Sequence, residues 1–388
     1  MKFKILILTF LISAATLSGC SGEKKNVAES SAAASKISVL EETGSAVELR
    51  LIKEEKPEIA EGFTIYDYEG GYKKISVKED GREYLVIPEE KEVPSVDDGV
   101  KIIRKPLKNI YLAASAAMCQ FDAIGATDKI SFSGIEDDEW TIQSAIDAVK
   151  SGQMEYCGNY GSPDYEYLTS EGCDLAVENL MVLHKSEVIE KLEALGIPVF
   201  IDRSSGEENP LGRTEWVKVY GVLTDKEEEA EAAFEEQKAY VDELKGLETT
   251  GKKVASFYIS SQGQIVVPKS GESLPRMIEM AGGEYIFSDL KDDSARSTVK
   301  MTMEEFLATA KDADIILYDG AIMPISNINE LIDKNKLLSE FKAVKEGNVW
   351  YMEASLYQNA SSTGNIVKNL RLMLEDKSGG EYIEKLDE

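Results

Sequence analysis

The chain has 388 residues, 43 Lys and Arg against 71 Asp and Glu, one His, four Cys and a formal net charge of −28. That length exceeds what one hydrophobic core organises and implies two or three domains; 43% hydrophobic and 29% charged residues place it among globular chains. So acidic a surface repels phosphate backbones and anionic headgroups, which excludes nucleic acid as a partner and attachment to a membrane by surface charge. A single imidazole excludes HExxH proteases and multi-histidine zinc sites.

In chain order, Lys2 and Lys4 precede the apolar run Ile5–Ile12, and small residues lead to Leu17-Ser18-Gly19-Cys20. A positive start, a short apolar stretch and a cleavage site make residues 1–20 a signal peptide, too short to span a bilayer. Leu-Ser-Gly-Cys resembles the bacterial lipobox, in which the Cys is acylated, so Cys20 is the expected lipidation site. Residues 21–36 are Ser/Ala-rich and polar, as a tether should be. The rest is expected outside the cytoplasmic membrane, held to it by the lipid anchor only. Cys119, Cys157 and Cys173 then remain, an odd set without CxxC, which predicts at least one free thiol and buried apolar cysteines.

Residues 37–105 differ in texture from the rest of the chain. Phe63–Tyr68 alternates, Gly70-Gly71 interrupts, and Tyr72–Val77 resumes, the pattern of a hairpin. Asp80-Gly81 then precedes a third strand, Tyr84–Ile87. The expectation is a small antiparallel β-appendage in which nothing points to chemistry.

From Asn109 strands and helices alternate. Strands are predicted at Asn109–Ala113, Asp174–Val177 and Pro198–Ile201, with helices at Ala114–Ala123 and Ser186–Leu195, a rhythm that builds a parallel sheet. Thr224-Asp225-Lys226-Glu227 has the form of a capping box. Apolar positions at Ala230, Phe234, Val241 and Leu244 continue to Gly246. They predict one helix over 223–247, about 36 Å long at ~1.5 Å per residue. A second α/β set comes after it: Lys253–Ile259, Ser273–Ala281, Met303–Ala310, Asp314–Tyr318 and Val349–Tyr351. The organisation is an α/β fold of two Rossmann-like lobes, 106–222 and 248–388, joined by one long spine helix and preceded by the β-appendage.

These pieces resemble the periplasmic-binding-protein family that captures iron–siderophore, heme and vitamin B12 for ABC importers. The resemblance is carried by Lys108–Ala113 with Phe121–Ala126, by Pro163–Leu168 through Gly172–Val177, and by Leu192–Phe200, Met277–Phe287 and Phe341–Trp350. It runs from about Lys105 to Leu374; Gly172-Cys173-Asp174 departs from the family's usual Pro-Asp, and the β-appendage lies outside its core. The resemblance implies a monomer that hands its cargo to a dimeric ABC permease. Glu166 and Glu304 match the lobe-surface glutamates that pair with permease arginines, and Glu305 is an alternative to Glu304.

In open α/β sheets ligands bind beyond the carboxyl ends of the strands. That rule selects Ser115, Ser133, Asn179, Arg203 and Ser204 in the first lobe and Gln262 and Tyr357 in the second. Arg203 is the leading candidate, a guanidinium among small residues that suits bidentate capture of an anionic oxygen. Arg213 is either a second cation of the groove or half of a local ion pair with Glu215. Tyr160, Trp216, Tyr258 and Tyr357 are either aromatic walls or core, and His184 is a surface or capping residue. The function expected is capture of a chelated iron complex of siderophore type, with no cofactor and no catalysis. A siderophore supplies its own donors, so no metal ligand is assigned, with direct ligation of iron by phenolate or carboxylate as the alternative. A corrinoid or heme is the alternative cargo; from other classes, the alternatives are a surface adhesin or sensor and an extracellular acid/base hydrolase.

Overall fold

The computed structural model describes residues 38–40, 46–290, 296–320, 323–377 and 380–387, the first two strands by backbone alone. Cys20 and the tether lie outside the described residues. Strands β1 (Ser38–Leu40) and β2 (Ala46–Glu48) form an antiparallel pair.

A five-stranded sheet comes next, in chain order: β3 (Leu51–Glu55), β4 (Phe63–Tyr68), β5 (Lys73–Val77), β6 (Glu83–Ile87) and β7 (Val100–Arg104). The β4–β5 turn places Gly70 and Gly71 at φ 85° and 83°, conformations open to glycine at little cost. The expected antiparallel unit is instead mixed. β6 and β7 run parallel, with residues 88–99 as the long connection that a parallel pair requires.

Nor is it an appendage. Phe63, Ile65, Ile75, Val77, Tyr84 and Val86, alternating along three strands, share one core with Ile110, Leu112, Phe121, Phe200, Trp216 and Tyr220 of the next unit. The Phe63 ring meets Trp216 edge-on at 5.2 Å, and Tyr84 lies 4.9 Å from Phe200.

The first lobe is β8 (Ile110–Leu112), α1 (Ser115–Ala123), β9 (Ile130–Ser133), α2 (Gln143–Ser151), β10 (Glu155–Tyr156), α3 (Tyr165–Ser170), β11 (Leu175–Glu178), α4 (Ser186–Ala194) and β12 (Val199–Ile201). Its strands are all parallel in the order β10-β9-β8-β11-β12, a Rossmann-type half with the chain reversing direction of winding between β8 and β11. Helices α5 (Pro210–Glu215), α6 (Val217–Thr224) and α7 (Glu227–Asp242) lead out of it.

The helix expected over 223–247 is therefore divided. Asp225 sits at φ 58° between α6 and α7. The capping box does not form, because Thr224 is buried and its Oγ1 donates to the Tyr220 carbonyl at 2.8 Å. Lys105 clasps the junction through the Val222 carbonyl and the Asp225 carboxylate. Only α7, 16 residues or about 24 Å, passes between the lobes. Ala230 and Phe234 lie in the first lobe's core, and Val241 touches both cores.

The second lobe comprises β13 (Lys253–Ile259), β14 (Ile265–Pro268), α8 (Ser273–Met280), β15 (Glu284–Tyr285), β16 (Thr298–Met301), α9 (Met303–Ala310), β17 (Ile315–Asp319), α10 (Ile328–Lys334), α11 (Lys342–Lys345), β18 (Val349–Met352), α12 (Thr363–Leu374) and β19 (Ile383–Lys385). Its sheet runs β16-β14-β13-β17-β18-β19, with β15 beside the start of β13. Helix α12 crosses α7 so closely that a Cβ on Gly364 would stand 2.0 Å from the Gln237 carbonyl oxygen.

Two buried carboxylates tie the N-terminal sheet down. Glu215 accepts the amides of Glu58, Ile59 and Ala60 at 2.7–2.8 Å. Glu207 accepts those of Glu61 and Gly62, both at 2.9 Å, and the Trp216 indole N–H at 2.8 Å. Removing such an acceptor strands buried donors at ~1–3 kcal/mol each. Glu215→Ala is expected to lower the unfolding free energy by about 3–5 kcal/mol in urea titrations, whereas Glu304→Ala at an exposed position changes it by less than about 0.5 kcal/mol; equal, small effects would refute the clamp.

Candidate functional site

A cavity of about 290 Å³ lies at the carboxyl ends of β13 and β17, enclosed by the first turns of α8 and α12 and by residues 356–360. The first lobe contributes Arg213. Leu274, Met277, Leu356 and Ile366 supply an apolar wall, and Ser256, Tyr258, Glu272, Asp319, Asn359 and Thr363 the polar positions. The lobes meet around it through hydrogen bonds. Thr214 Oγ1 donates to the Ala360 carbonyl at 2.8 Å, and the Ser361 amide donates to Cys119 Sγ at 3.3 Å. Gln358 accepts from the amide and hydroxyl of Thr141 at 2.9 and 2.8 Å and donates to the Glu139 carbonyl.

Arg213 is positioned from its backbone. Asn209 caps α5 by accepting the Leu211 amide at 3.0 Å, Pro210 begins the helix, and Gln120 Nε2 donates to the Arg213 carbonyl at 3.0 Å. The ion pair with Glu215 does not form, since residues two apart on a helix face different ways and Glu215 is held by the residue 58–60 amides. Arg213 Nε is buried without a hydrogen-bond partner among the described residues. Burial pushes the guanidinium below its ordinary value, opposed by Glu272 and Glu207; an arginine remains charged nonetheless. Ser256, two residues from Tyr258 on the same face of β13, is 1% exposed, and its hydroxyl too has no partner among the described residues. One guanidinium nitrogen and one hydroxyl, both buried and without a partner among the described residues, thus border one cavity, an arrangement that favours a ligand's anionic or acceptor oxygen.

Of the positions expected to line a groove, Arg213 and Tyr258 border this cavity. Leu356, Asn359 and Ala360 border it as well, and the side chain of Tyr357 is not among those described. The others are placed elsewhere. Ser133 Oγ bonds the Ile135 amide and carbonyl and receives the Trp140 indole, which folds its own turn. Asn179 joins two strand ends by donating to the Ala113 carbonyl and capping at Met181. Ser204 is buried against Asp202, with its hydroxyl 2.8 Å from the carboxylate. Trp216 is core, 0% exposed. Gln262 is exposed in the β13–β14 turn, Tyr160 packs at the edge of the first lobe's second core, and Ser115 starts α1. Arg203 is held by Glu79 and Asp80 of the N-terminal sheet, at 3.0 and 2.9 Å.

Glu166 and Glu304 are exposed in the first turns of α3 and α9, while Glu305 closes a capping box with Thr302. His184 is exposed at the end of a 3-10 turn. All three described cysteines are free and buried; burial raises Cys119 to about 11 and Cys157 and Cys173 to about 12, so they stay protonated. Ser256 was legible only as a polar residue interrupting an apolar strand, and Glu272 carried no signal beyond its place before α8.

A buried acid without a partner among the described residues lies in the first lobe. Glu178 ends β11, is 0% exposed, and neither carboxylate oxygen has a hydrogen-bond partner among the described residues.

A family model described as periplasmic binding protein matches residues 138–356. An uncharacterised lipoprotein of Methanocaldococcus jannaschii is 25% identical over 323 residues, which span 79% of this chain and 75% of that one. A periplasmic binding protein of Veillonella parvula superposes with a TM-score of 0.57 at 18% identity, covering 78% of this chain and 98% of its own. The petrobactin-binding protein YclQ of Bacillus subtilis gives 0.54 at 16% identity, covering 70% and 94%. At these identities the structural likeness is one of fold.

Glu178 makes stability depend on pH. Desolvation raises its carboxyl from 4.5 to about 8, so the folded chain keeps a proton that the unfolded chain releases. Between those values the unfolded state binds fewer protons, and stability falls as pH rises. Melting temperatures measured from pH 5 to 9 are expected to decline less for Glu178→Gln than for the native chain, with Glu178→Gln the more stable at pH 8; parallel profiles would contradict this.

Proposed function

The chain belongs to the periplasmic binding protein family, and on that premise we propose that it is the lipid-anchored, extracytoplasmic solute-binding component of an ABC importer. Its cargo is a chelated metal, a ferric complex of siderophore type, which it delivers unchanged to a permease dimer. The observation that carries this reading is the interlobe cavity, where Arg213 Nε and the Ser256 hydroxyl stand buried and unpartnered among the described residues. Both are groups that an oxygen-rich chelate satisfies without chemistry.

Three further observations support it. The cavity sits where open α/β sheets bind ligands, at the strands' carboxyl ends. A Methanocaldococcus relative is named a lipoprotein, in keeping with Leu17–Cys20 here. One of the similar folds binds petrobactin. Glu166 and Glu304, exposed at comparable helix starts on separate lobes, serve as the docking carboxylates, since opposite charges steer encounter and fix register.

Intrinsic fluorescence titrated with ferric siderophores, heme and cobalamin is expected to give saturable binding for at least one ferric chelate; no response to any of the panel would overturn the reading. For the chelate that binds, Arg213→Gln should weaken affinity at least tenfold, the order expected for a hydrogen bond to a charged group (~1.5–3 kcal/mol). Glu166→Lys with Glu304→Lys should leave that affinity unchanged while abolishing uptake in cells, and normal uptake would remove both residues from docking.

A further inference from the structure

Arg203 follows β12, at the carboxyl end of the first lobe's sheet, where a cargo anion would be met. Its guanidinium is already engaged as a bound carboxylate would engage it. Nη1 donates to Glu79 Oε2 at 3.0 Å, Nη2 to Asp80 Oδ2 at 2.9 Å, and Nε to the same oxygen at 3.3 Å. The side chains of Arg203 and Asp80 are 10% and 17% exposed, so solvent screens that half of the contact less than the half made by Glu79, which is 64% exposed. Asp80 is fixed in turn, its Oδ1 accepting the Arg82 amide at 3.2 Å in a turn where Gly81 adopts φ 66°.

We propose that the hairpin tip Glu79–Asp80 is a specificity element of the cargo groove. It occupies Arg203, turns away chelates of multiple negative charge, and leaves Arg213 to receive a single anionic arm. This rests on the reading that the interlobe cavity holds cargo. A hollow of about 420 Å³ beside it is bordered by Lys78, Glu79, Arg203, Glu207, Glu208 and Arg276, drawn from the N-terminal sheet and both lobes. The other cations there have acidic neighbours, Lys78 with Glu61 at 3.8 Å and Arg276 with Glu208 at 3.7 Å. Two elements run from the hollow to the cavity: α5, capped by Asn209 at the hollow and carrying Arg213 at the cavity, and α8, with Arg276 at the one and Leu274 and Met277 at the other. The tip is not a loose arm, because the amides of residues 58–62, which lead into the same sheet, are gripped by Glu207 and Glu215. A multiply charged anion must displace a held carboxylate pair and enter an acid-rich mouth; a neutral or singly charged chelate meets neither obstacle.

The test titrates the full chain with citrate, a trivalent anion, by calorimetry at low salt. Glu79→Gln/Asp80→Asn is expected to bind citrate at least tenfold more tightly than the native chain, and adding Arg203→Gln should return the affinity to the native value. Unchanged affinity in the double variant, or a gain that survives loss of Arg203, overturns the proposal. Should circular dichroism show the double variant unfolded, Glu79→Gln alone, at a position 64% exposed, is expected to give a gain of about threefold, and no gain overturns it equally. The importer reading is judged separately, by chelate binding to the native chain, so either can fail without the other.

Discussion

Two buried carboxylates make this molecule one body. Glu215 and Glu207 accept five consecutive backbone amides, from Glu58 to Gly62, so each of these donors is satisfied. Negative charge placed against backbone donors is stable in a low-dielectric interior only when its hydrogen bonds are complete. Here Trp216 and Lys218 add to the set, through an indole N–H and an ammonium 3.4 Å from Glu215. Gly62 must be glycine for the same reason, since a Cβ there would lie 2.8 Å from Glu207 Oε1 and 2.9 Å from the Trp216 ring. The clamp fixes the face of the N-terminal sheet against the first lobe, and Phe63, Ile65, Ile75 and Tyr84 then complete a core that neither part holds alone.

The same clamp decides which arginine is available. By drawing Glu215 toward residues 58–60 it leaves Arg213, two positions earlier, without its sequence neighbour; by holding the N-terminal sheet in place it carries Glu79 and Asp80 onto Arg203. In a chain of net charge −28 the positive charge at the interlobe cavity is therefore local and sparse.

Between the lobes, the break at Asp225 gives a shorter connector than an uninterrupted helix would. α6 stays folded into the first lobe, with Gly221 close against Ala230 of α7, and α7 alone spans the gap. The contact of Gly364 with Gln237 and the Gln358 bonds to residues 139–141 place the α12 end of the second lobe against the first.

Read alone, the sequence determined the two-lobed α/β plan, the Gly70-Gly71 hairpin, the strand after each helix and the exposed glutamates at two helix starts. Each of these is a matter of local periodicity, turn chemistry or capping. It also pointed to Arg213 and Tyr258, because both lie just beyond or within strands and helices whose order was legible. It misjudged Thr224, whose capping pattern is local but whose hydroxyl is claimed by a carbonyl one turn back once the side chain is buried. Likewise it took residues 37–105 for a small β-appendage, left Trp216 open between groove wall and core, and gave no sign of the carboxylates that hold Arg203. Only tertiary structure decided those, since the partners of Arg203 are more than 120 residues away in the chain, as are those of Glu215. Hydrogen bonds and ion pairs across such separations leave no period in a sequence; they exist only once packing has brought the acceptors and donors together.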